Sequence, residues 1–176
     1  MIVGVVLLLV LGLAISWRYT DSGASAATPV VGANDDLVPV PPDCSAGTVQ
    51  LTFDDGPSPD FTPLILGTLR AWGARASFFV LGSKVQQYPD LVRQMIGEGH
   101  QVGNHSWSHP HLTTLTRQQV RDELARTSAA IEDATGDAPM TWRPPYEDWN
   151  DEVDAEAKRL GMSVVLWDYA TDSNDW

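Results

Sequence analysis

Two adjacent carboxylates, Asp54 and Asp55, are the first residues of this sequence whose type and position suit chemistry. They follow the alternating, β-prone segment 48–53 and precede the turn-forming pair Gly56 and Pro57. Because successive residues of a strand point to opposite faces, both carboxylates reach one site only where the strand ends and the backbone turns. Alone, such a pair is most often a solvated turn.

Two histidines, His105 and His109, stand four residues apart. This spacing places both imidazoles on one face of a helical turn, and divalent ions such as zinc accept imidazole and carboxylate ligands together. Pro110 disfavours helical geometry at His109, so we expect a turn or a helix end here and not a long helix. Two histidines and one carboxylate leave positions open for water and substrate, as in a catalytic site. His111 matches the face of His105 poorly and is left out, and His100 is expected to be structural.

Two further segments add polar groups of a useful type. Residues 143–146, Arg-Pro-Pro-Tyr, contain a guanidinium that can hold a carboxylate bidentately and keep it ionised. The paired prolines stiffen the backbone that follows, so that a peptide N–H can be aimed at a developing oxyanion. Residues 172–176, Asp-Ser-Asn-Asp-Trp, combine an acid with an aromatic ring, which suits sugar binding and histidine orientation. Each segment is weak evidence in isolation.

The elements that must position these groups alternate along the chain. Strands are predicted at 48–53, 76–81, 100–103, 140–143 and 163–167, and helices at 61–72, 90–98, 116–135 and 151–160. Ser58 or Asp60 could cap the first helix, and Gly136 should end the longest. Alternation implies right-handed βα units around a parallel sheet or barrel, whose active site gathers at the carboxyl ends of the strands. All four segments follow predicted strands.

Composition limits the remaining possibilities. The net charge of −12 over 176 residues argues against nucleic acid as a partner, because its binders cluster Lys and Arg. Residues 1–17 are predicted to be a signal peptide or a retained membrane anchor, since the run 2–16 is apolar and uncharged. Either outcome places the remainder outside the cytoplasm. Residues 18–47 are predicted to be a disordered linker holding the single Cys44, which leaves one domain at 48–176.

In this order, the four segments resemble the motifs of the polysaccharide deacetylases, the NodB-homology proteins of carbohydrate esterase family 4. Residues 52–57 resemble the first motif, 105–109 the second, 143–146 the third and 172–176 the fourth. The first two together are highly specific. The resemblance implies an α/β fold, a distorted (β/α) barrel with fewer than eight strands. It also implies metal-dependent removal of N-acetyl groups from a polysaccharide such as peptidoglycan or a chitin-type N-acetylglucosamine polymer.

The resemblance further implies a role for each motif residue. The divalent metal, most often zinc, would be bound by Asp55, His105 and His109. Asp54 would be the general base, and Arg143 would position it. The oxyanion would meet the backbone N–H of Tyr146, Asp175 would orient a histidine acid, and the sugar groove would be lined by Pro144, Pro145 and Trp176.

Two departures from the family pattern qualify these expectations. Glu147 stands where the family commonly has Gly, which changes the shape and charge of the groove. The sequence does not contain the fifth motif, a Leu-x-His segment with the general acid, so we expect a C-terminally truncated domain. Losing a general acid typically costs about 10²–10⁴ in rate, and we expect this chain to be inactive or nearly so. The alternatives are an O-acetyl esterase acting on xylan and a non-catalytic carbohydrate-binding domain of the same fold. The oligomeric state is not predicted.

Overall fold

A computed structural model describes residues 49–168 of the protein. The predicted leader at 1–17, the linker at 18–47 with Cys44, and the fourth-motif residues Asp175 and Trp176 lie outside these residues. Within 49–168, no helix combines the length and hydrophobicity that crossing a bilayer requires.

Five parallel strands form one sheet, and they follow one another in chain order. Helices occupy every connection between them, as the alternation of the sequence predicts. The predicted α/β class and parallel sheet are therefore confirmed, and residues 49–168 supply five of its strands. The strands are β1 Leu51–Gly56, β2 Ala76–Val80, β3 Gln101–Asn104, β4 Thr141–Trp142 and β5 Ser163–Val164, and the helices are α1 Thr62–Ala71, α2 Gly82–Gln87, α3 Pro89–Gly97, α4 Arg117–Thr135 and α5 Asp151–Arg159.

Helix α4 connects the two halves of the hydrophobic core. Ile131 packs in a cluster with residues of β2, α1 and α3, whereas Leu124 packs in a second cluster with Trp142 of β4 and Ala157 of α5. A capping box at Thr116 begins the helix, and the left-handed Gly136 ends it as predicted. Helix α4, which is capped at both ends, thus helps to fix the position of β3 and β4.

Three local features differ from the sequence-based expectations. No side chain caps α1: the Ser58 carbonyl accepts from the Thr62 N–H at 2.9 Å, and the Ser58 N–H donates to the Thr62 hydroxyl at 2.9 Å, so the predicted side-chain cap at Ser58 or Asp60 is wrong. Helix α2 was not predicted, since six residues are too few for a clear apolar period. Strand β5 is two residues long rather than five and is only partly covered, so the predicted buried strand at 163–167 is wrong beyond Val164.

Candidate metal centre

A bulge in β1 brings Asp54 and Asp55 to the same site. Both residues lie within the strand and not after it, and Asp55 has a left-handed φ of 64°. The pairing with β2 shifts register between Asp54 and Gly56. A bulge re-aims a side chain that regular pleating would send to the opposite face. The expected turn after the strand is therefore replaced by a bulge inside it, with the same consequence for the carboxylates.

Asp55, His105 and His109 come together around one point. Their candidate ligand atoms all lie within 4.8 Å of one another. Asp55 Oδ1 is 3.5 Å from His105 Nε2 and 3.3 Å from His109 Nε2. The His105 side chain is 3% exposed, whereas that of Asp55 is 55% exposed, so the cluster is open on one side only. Two imidazole nitrogens and one carboxylate with open positions fit a catalytic divalent ion of the zinc type.

The segment that carries the two histidines is a loop and not the predicted helical turn. Ser106 and His109 have left-handed φ angles of 67° and 62°. Such conformations cost non-glycine residues about 1–3 kcal/mol each and persist only where the surroundings hold them. Two bonds do so locally: the Asn104 side-chain oxygen accepts from the Ser106 N–H at 2.8 Å, and the Ser106 hydroxyl accepts from the His109 N–H at 3.0 Å.

The His105 ring is fixed in the orientation that a metal ligand needs. Its Nδ1 lies 2.8 Å from the backbone oxygen of Arg143, and because a carbonyl only accepts, Nδ1 carries the proton. The lone pair on Nε2 consequently faces Asp55. Burial lowers the pKa of His105 to about 4, with the bond to the Arg143 carbonyl opposing the shift, so the ring is neutral at pH 7. A neutral imidazole held through its other nitrogen is the usual form of a histidine ligand.

Arg143 contacts Asp54 through a single nitrogen. Its Nη1 donates to Asp54 Oδ1 and to the Thr52 hydroxyl, both at 2.9 Å. Nε donates to the Val165 carbonyl at 3.1 Å, and Nη2 donates to the Leu166 carbonyl at 3.4 Å. The expected bidentate pair is thus wrong, because the rest of the guanidinium binds the backbone that follows β5. This side chain joins β1 to the chain after β5.

Asp54 combines the position and the electrostatics of a base. Burial raises its pKa from the ordinary 3.8 to about 6, and this outweighs the opposing charge and hydrogen bond of Arg143; the Asp55 charge raises it further. Oδ1 is bound by Arg143, whereas Oδ2 lies 3.9 Å from His105 Nε2, on the side of the ligand cluster. A divalent cation there would favour the ionised form of Asp54.

The Arg-Pro-Pro-Tyr segment presents one aromatic ring beside the ligands. Tyr146 has a φ of 58°, and its side chain is 57% exposed. The ring meets His109 edge-on at 4.5 Å and stacks on His111 at 4.2 Å. Pro144 and Pro145 are buried, whereas Tyr146 is exposed, so Tyr146 is the residue of this segment that a ligand would contact. The groove role of the prolines stays a prediction.

The two histidines left outside the ligand set make other contacts. His111 Nδ1 is 3.3 Å from Asp148 Oδ2. His100 is buried, and its Nδ1 accepts from the Ala76 N–H at 3.2 Å, which confirms a structural role. Asp175 and Trp176 lie outside the described residues, so their roles stay predictions.

Sequence reasoning missed Glu123, whose carboxylate accepts from the backbone of the histidine loop. It precedes the buried Leu124 on α4, which places it beside the inward face of the helix. No spacing signal connects it with a loop 15 residues earlier. Thr52 was also missed, because no spacing signal connects it with its partner Arg143.

The chain is similar to a family of known proteins. The polysaccharide deacetylase family model matches residues 43–165. The chain is 46% identical over 128 residues to the peptidoglycan-N-acetylglucosamine deacetylase PgdA of Listeria monocytogenes, covering 73% of this chain and 26% of that protein. It is 42% identical over 134 residues to chitin deacetylase 1 of Cryptococcus neoformans, covering 72% and 28%. The chain therefore spans about a quarter of the length of these curated relatives.

A solved structure shares the fold. The family 4 carbohydrate esterase from Streptomyces lividans, in complex with acetate, superimposes with a TM-score of 0.67 at 42% identity, covering 70% of this chain and 64% of that one. The expected fold, that of the family 4 carbohydrate esterases, is thereby confirmed.

Proposed function

Because the chain belongs to the polysaccharide deacetylase family, we propose that it carries out metal-dependent hydrolysis of N-acetyl groups on a polysaccharide. The observation that carries this proposal is the convergence of Asp55, His105 and His109 beside Asp54. A structural metal site would be closed by four protein ligands, whereas residues 49–168 supply three here and the Asp55 side leaves the cluster open. The substrates named for the relatives, peptidoglycan and chitin, support an N-acetylglucosamine polymer.

Asp55, His105 and His109 would hold the ion, and zinc suits their two nitrogens and one oxygen. When bound, such an ion lowers the pKa of a coordinated water and polarises the acetyl carbonyl. The protein orients the set beforehand: the Arg143 carbonyl fixes the His105 ring, and the bulge at Asp55 aims its carboxylate.

Asp54 would take the proton of the attacking water. Its Oδ2 faces the ligand cluster, and Arg143 holds Oδ1 so that the carboxylate cannot turn away. The Tyr146 N–H, in the left-handed turn after Pro144 and Pro145, would donate to the oxyanion. The exposed Tyr146 ring would meet the sugar beside the scissile amide.

We also propose that the reaction takes place outside the cytoplasm. Cell-wall polysaccharides lie there, and the apolar, uncharged run at 2–16 suits either export or anchoring. The net charge of −12 fits an uncharged glycan better than a polyanion.

Acetate release by the zinc-loaded full chain tests the activity. N-Acetylglucosamine oligomers and acetylated xylan are compared, with Asp54→Asn as the background because it keeps the shape of the site but removes the base. We expect release from the oligomers above this background, even where turnover is slow. Greater release from xylan would reassign the reaction to O-acetyl esters. Zinc and sugar binding without acetate release would favour a binding domain.

A further inference from the structure

We propose that Glu123 is a positioning residue of the metal centre, which holds the loop 105–109 in the shape that brings both histidines to one ion. The inference rests on the proposed function, since it concerns the same ligand set. Glu123 lies on α4, outside the four motif segments, and its role depends only on its contacts with the loop.

The carboxylate of Glu123 accepts three hydrogen bonds from two consecutive loop residues. Oε2 accepts from the N–H groups of Trp107 and Ser108, each at 2.9 Å. Oε1 accepts from the Ser108 hydroxyl at 2.9 Å. These residues lie midway between His105 and His109, so the carboxylate binds the centre of the loop.

The opposite side of the loop is bound by the start of α2. The Ser106 carbonyl accepts from the Gly82 N–H at 3.0 Å, and the Trp107 carbonyl accepts from the Ser83 N–H at 3.2 Å. The carbonyls are thus held by one helix and the amides by Glu123 on another. A loop with two left-handed, non-glycine residues needs such constraints from both sides, because its conformation is unfavourable on its own.

Helix α4 makes Glu123 a rigid support. The next residue, Leu124, is fully buried, and its carbonyl accepts from the Asn104 side chain at 2.8 Å. Asn104 directly precedes His105. Arg126 of the same helix lies 3.9 Å over the Trp107 ring. One helix therefore fixes the beginning and the middle of the loop, and any shift of Glu123 changes the distance between the two ligands.

Two conservative substitutions separate geometry from charge. Glu123→Gln keeps the length: its amide oxygen can accept both N–H groups while its NH₂ donates to the Ser108 hydroxyl. Glu123→Asp keeps the charge, but the carboxylate retracts by one methylene and cannot reach all three donors. A positioning role predicts that Glu123→Gln retains its zinc affinity and that Glu123→Asp loses much of it. Glu132→Gln, an exposed change on the same helix, is the matched control for loss of charge.

Zinc affinity, measured calorimetrically on the full chain with zinc alone, tests the inference. We expect Glu123→Asp to weaken binding about 10–100-fold, the usual effect of losing a residue that supports a ligand. Glu123→Gln should change it less than about threefold, because a charge that does not touch the ion is screened. Glu132→Gln should match the wild type. Amide exchange at Trp107 and Ser108 in the zinc-free chain should quicken in Glu123→Asp only.

Each result decides the matter. Wild-type affinity in Glu123→Asp, or a loss of more than about threefold in Glu123→Gln whatever the result for Glu123→Asp, overturns the positioning role while leaving the proposed function intact. Failure of the wild-type chain to bind zinc overturns the proposed function and this inference with it. Should Glu123→Asp fail to fold, Ser108→Ala removes one of the three bonds, and unchanged zinc affinity in that variant would also overturn the role.

Discussion

Arg143 and Asp54 are 89 residues apart in the chain, yet one guanidinium nitrogen donates to the carboxylate over 2.9 Å. The backbone carbonyl of the same arginine accepts from His105 Nδ1 at 2.8 Å. Arg143, at the end of β4, therefore contacts the proposed base Asp54 through its side chain and the proposed metal ligand His105 through its backbone carbonyl. A substitution at Arg143 removes only the first of these contacts.

Replacing Arg143 with Gln should abolish most acetate release while leaving zinc affinity unchanged. Asp54, whose side chain is only partly buried, loses the neighbouring charge that favours its ionised form, whereas the carbonyl bound to His105 remains. Breaking a buried pair costs about 3–5 kcal/mol; we expect about 1–3 kcal/mol here, because Asp54 is 28% exposed. Urea unfolding measures this cost. The double variant Asp54→Asn with Arg143→Gln should recover part of it, and a further loss would contradict the pairing.

Zinc should stabilise the fold through Asp55, His105 and His109. An ion present at 100 times its dissociation constant adds about 2.7 kcal/mol, which raises the melting temperature on the order of 10 °C. A chelator should reverse the shift, and His105→Ala should remove it. His111→Ala is the matched control, because His111 stands beside the site yet lies outside the ligand set. Loss of the zinc shift in the control would show that the ligand set is wrong.

The sequence predicts the fold because hydrophobic periodicity is a local signal. Long elements such as α4 carry several turns of it, and the capping Thr116 and the terminal Gly136 mark its ends. The alternation of strands and helices then places Asp54 and His105 at the same edge of a parallel sheet. Asp54 and His105 come close because of the topology of the sheet, and the alternation of strands and helices in the sequence predicts that topology.

Contacts between residues that are distant in sequence leave no periodic pattern in the sequence. The bulge at Asp55 depends on the pairing of β1 with β2, and the loop that contains the left-handed His109 is held partly by Glu123, which is distant in sequence. Neither Asp nor His by its type predicts a positive φ. Just beyond the short strand β5, the Val165 carbonyl accepts from Arg143, a residue 22 positions earlier in the chain. In the sequence, nothing distinguishes Glu123 from other acidic residues on a helix. Local propensity cannot predict a backbone conformation that tertiary hydrogen bonds determine.

Gly82→Ala should displace the histidine loop. A Cβ at this position would lie 2.4 Å from Trp107 Cε3 and 2.9 Å from the backbone of Thr127. We expect a loss of about 1–3 kcal/mol in unfolding free energy, as for other overpacked sites, together with weaker zinc binding.

The control is Gly67→Ala in α1, where nothing lies within 4 Å of the added carbon. Alanine favours the helix there, so stability should rise by about 0.5–1 kcal/mol with zinc affinity unchanged. Equal zinc affinity in the two variants would show that Trp107 tolerates displacement without moving the ligands.

Glu156 of α5 contacts three arginines, and two of them, Arg117 and Arg121, join it to the start of α4. Its side chain is 1% exposed; it accepts from Arg121 at 3.0 Å and also bonds to Arg117 and Arg159. The hydrogen bonds from Arg121 and Arg117 lower the pKa of Glu156 from the ordinary 4.5 to about 2. Because the folded pKa lies below the unfolded one, the stabilisation is complete above about pH 4.5 and is lost as the pH falls towards 2.

Glu156→Gln should therefore lower the melting temperature by a constant amount between pH 6 and 8, because the amide cannot satisfy three guanidinium groups. Below about pH 4.5 the gap should narrow, since the wild-type carboxylate then begins to lose its own advantage. Melting curves of both proteins from pH 3 to 8 measure this. Glu132→Gln, exposed on α4, should show no comparable gap at any pH. A gap that persists undiminished at pH 3 would mean that packing, and not the charge of Glu156, joins the two helices.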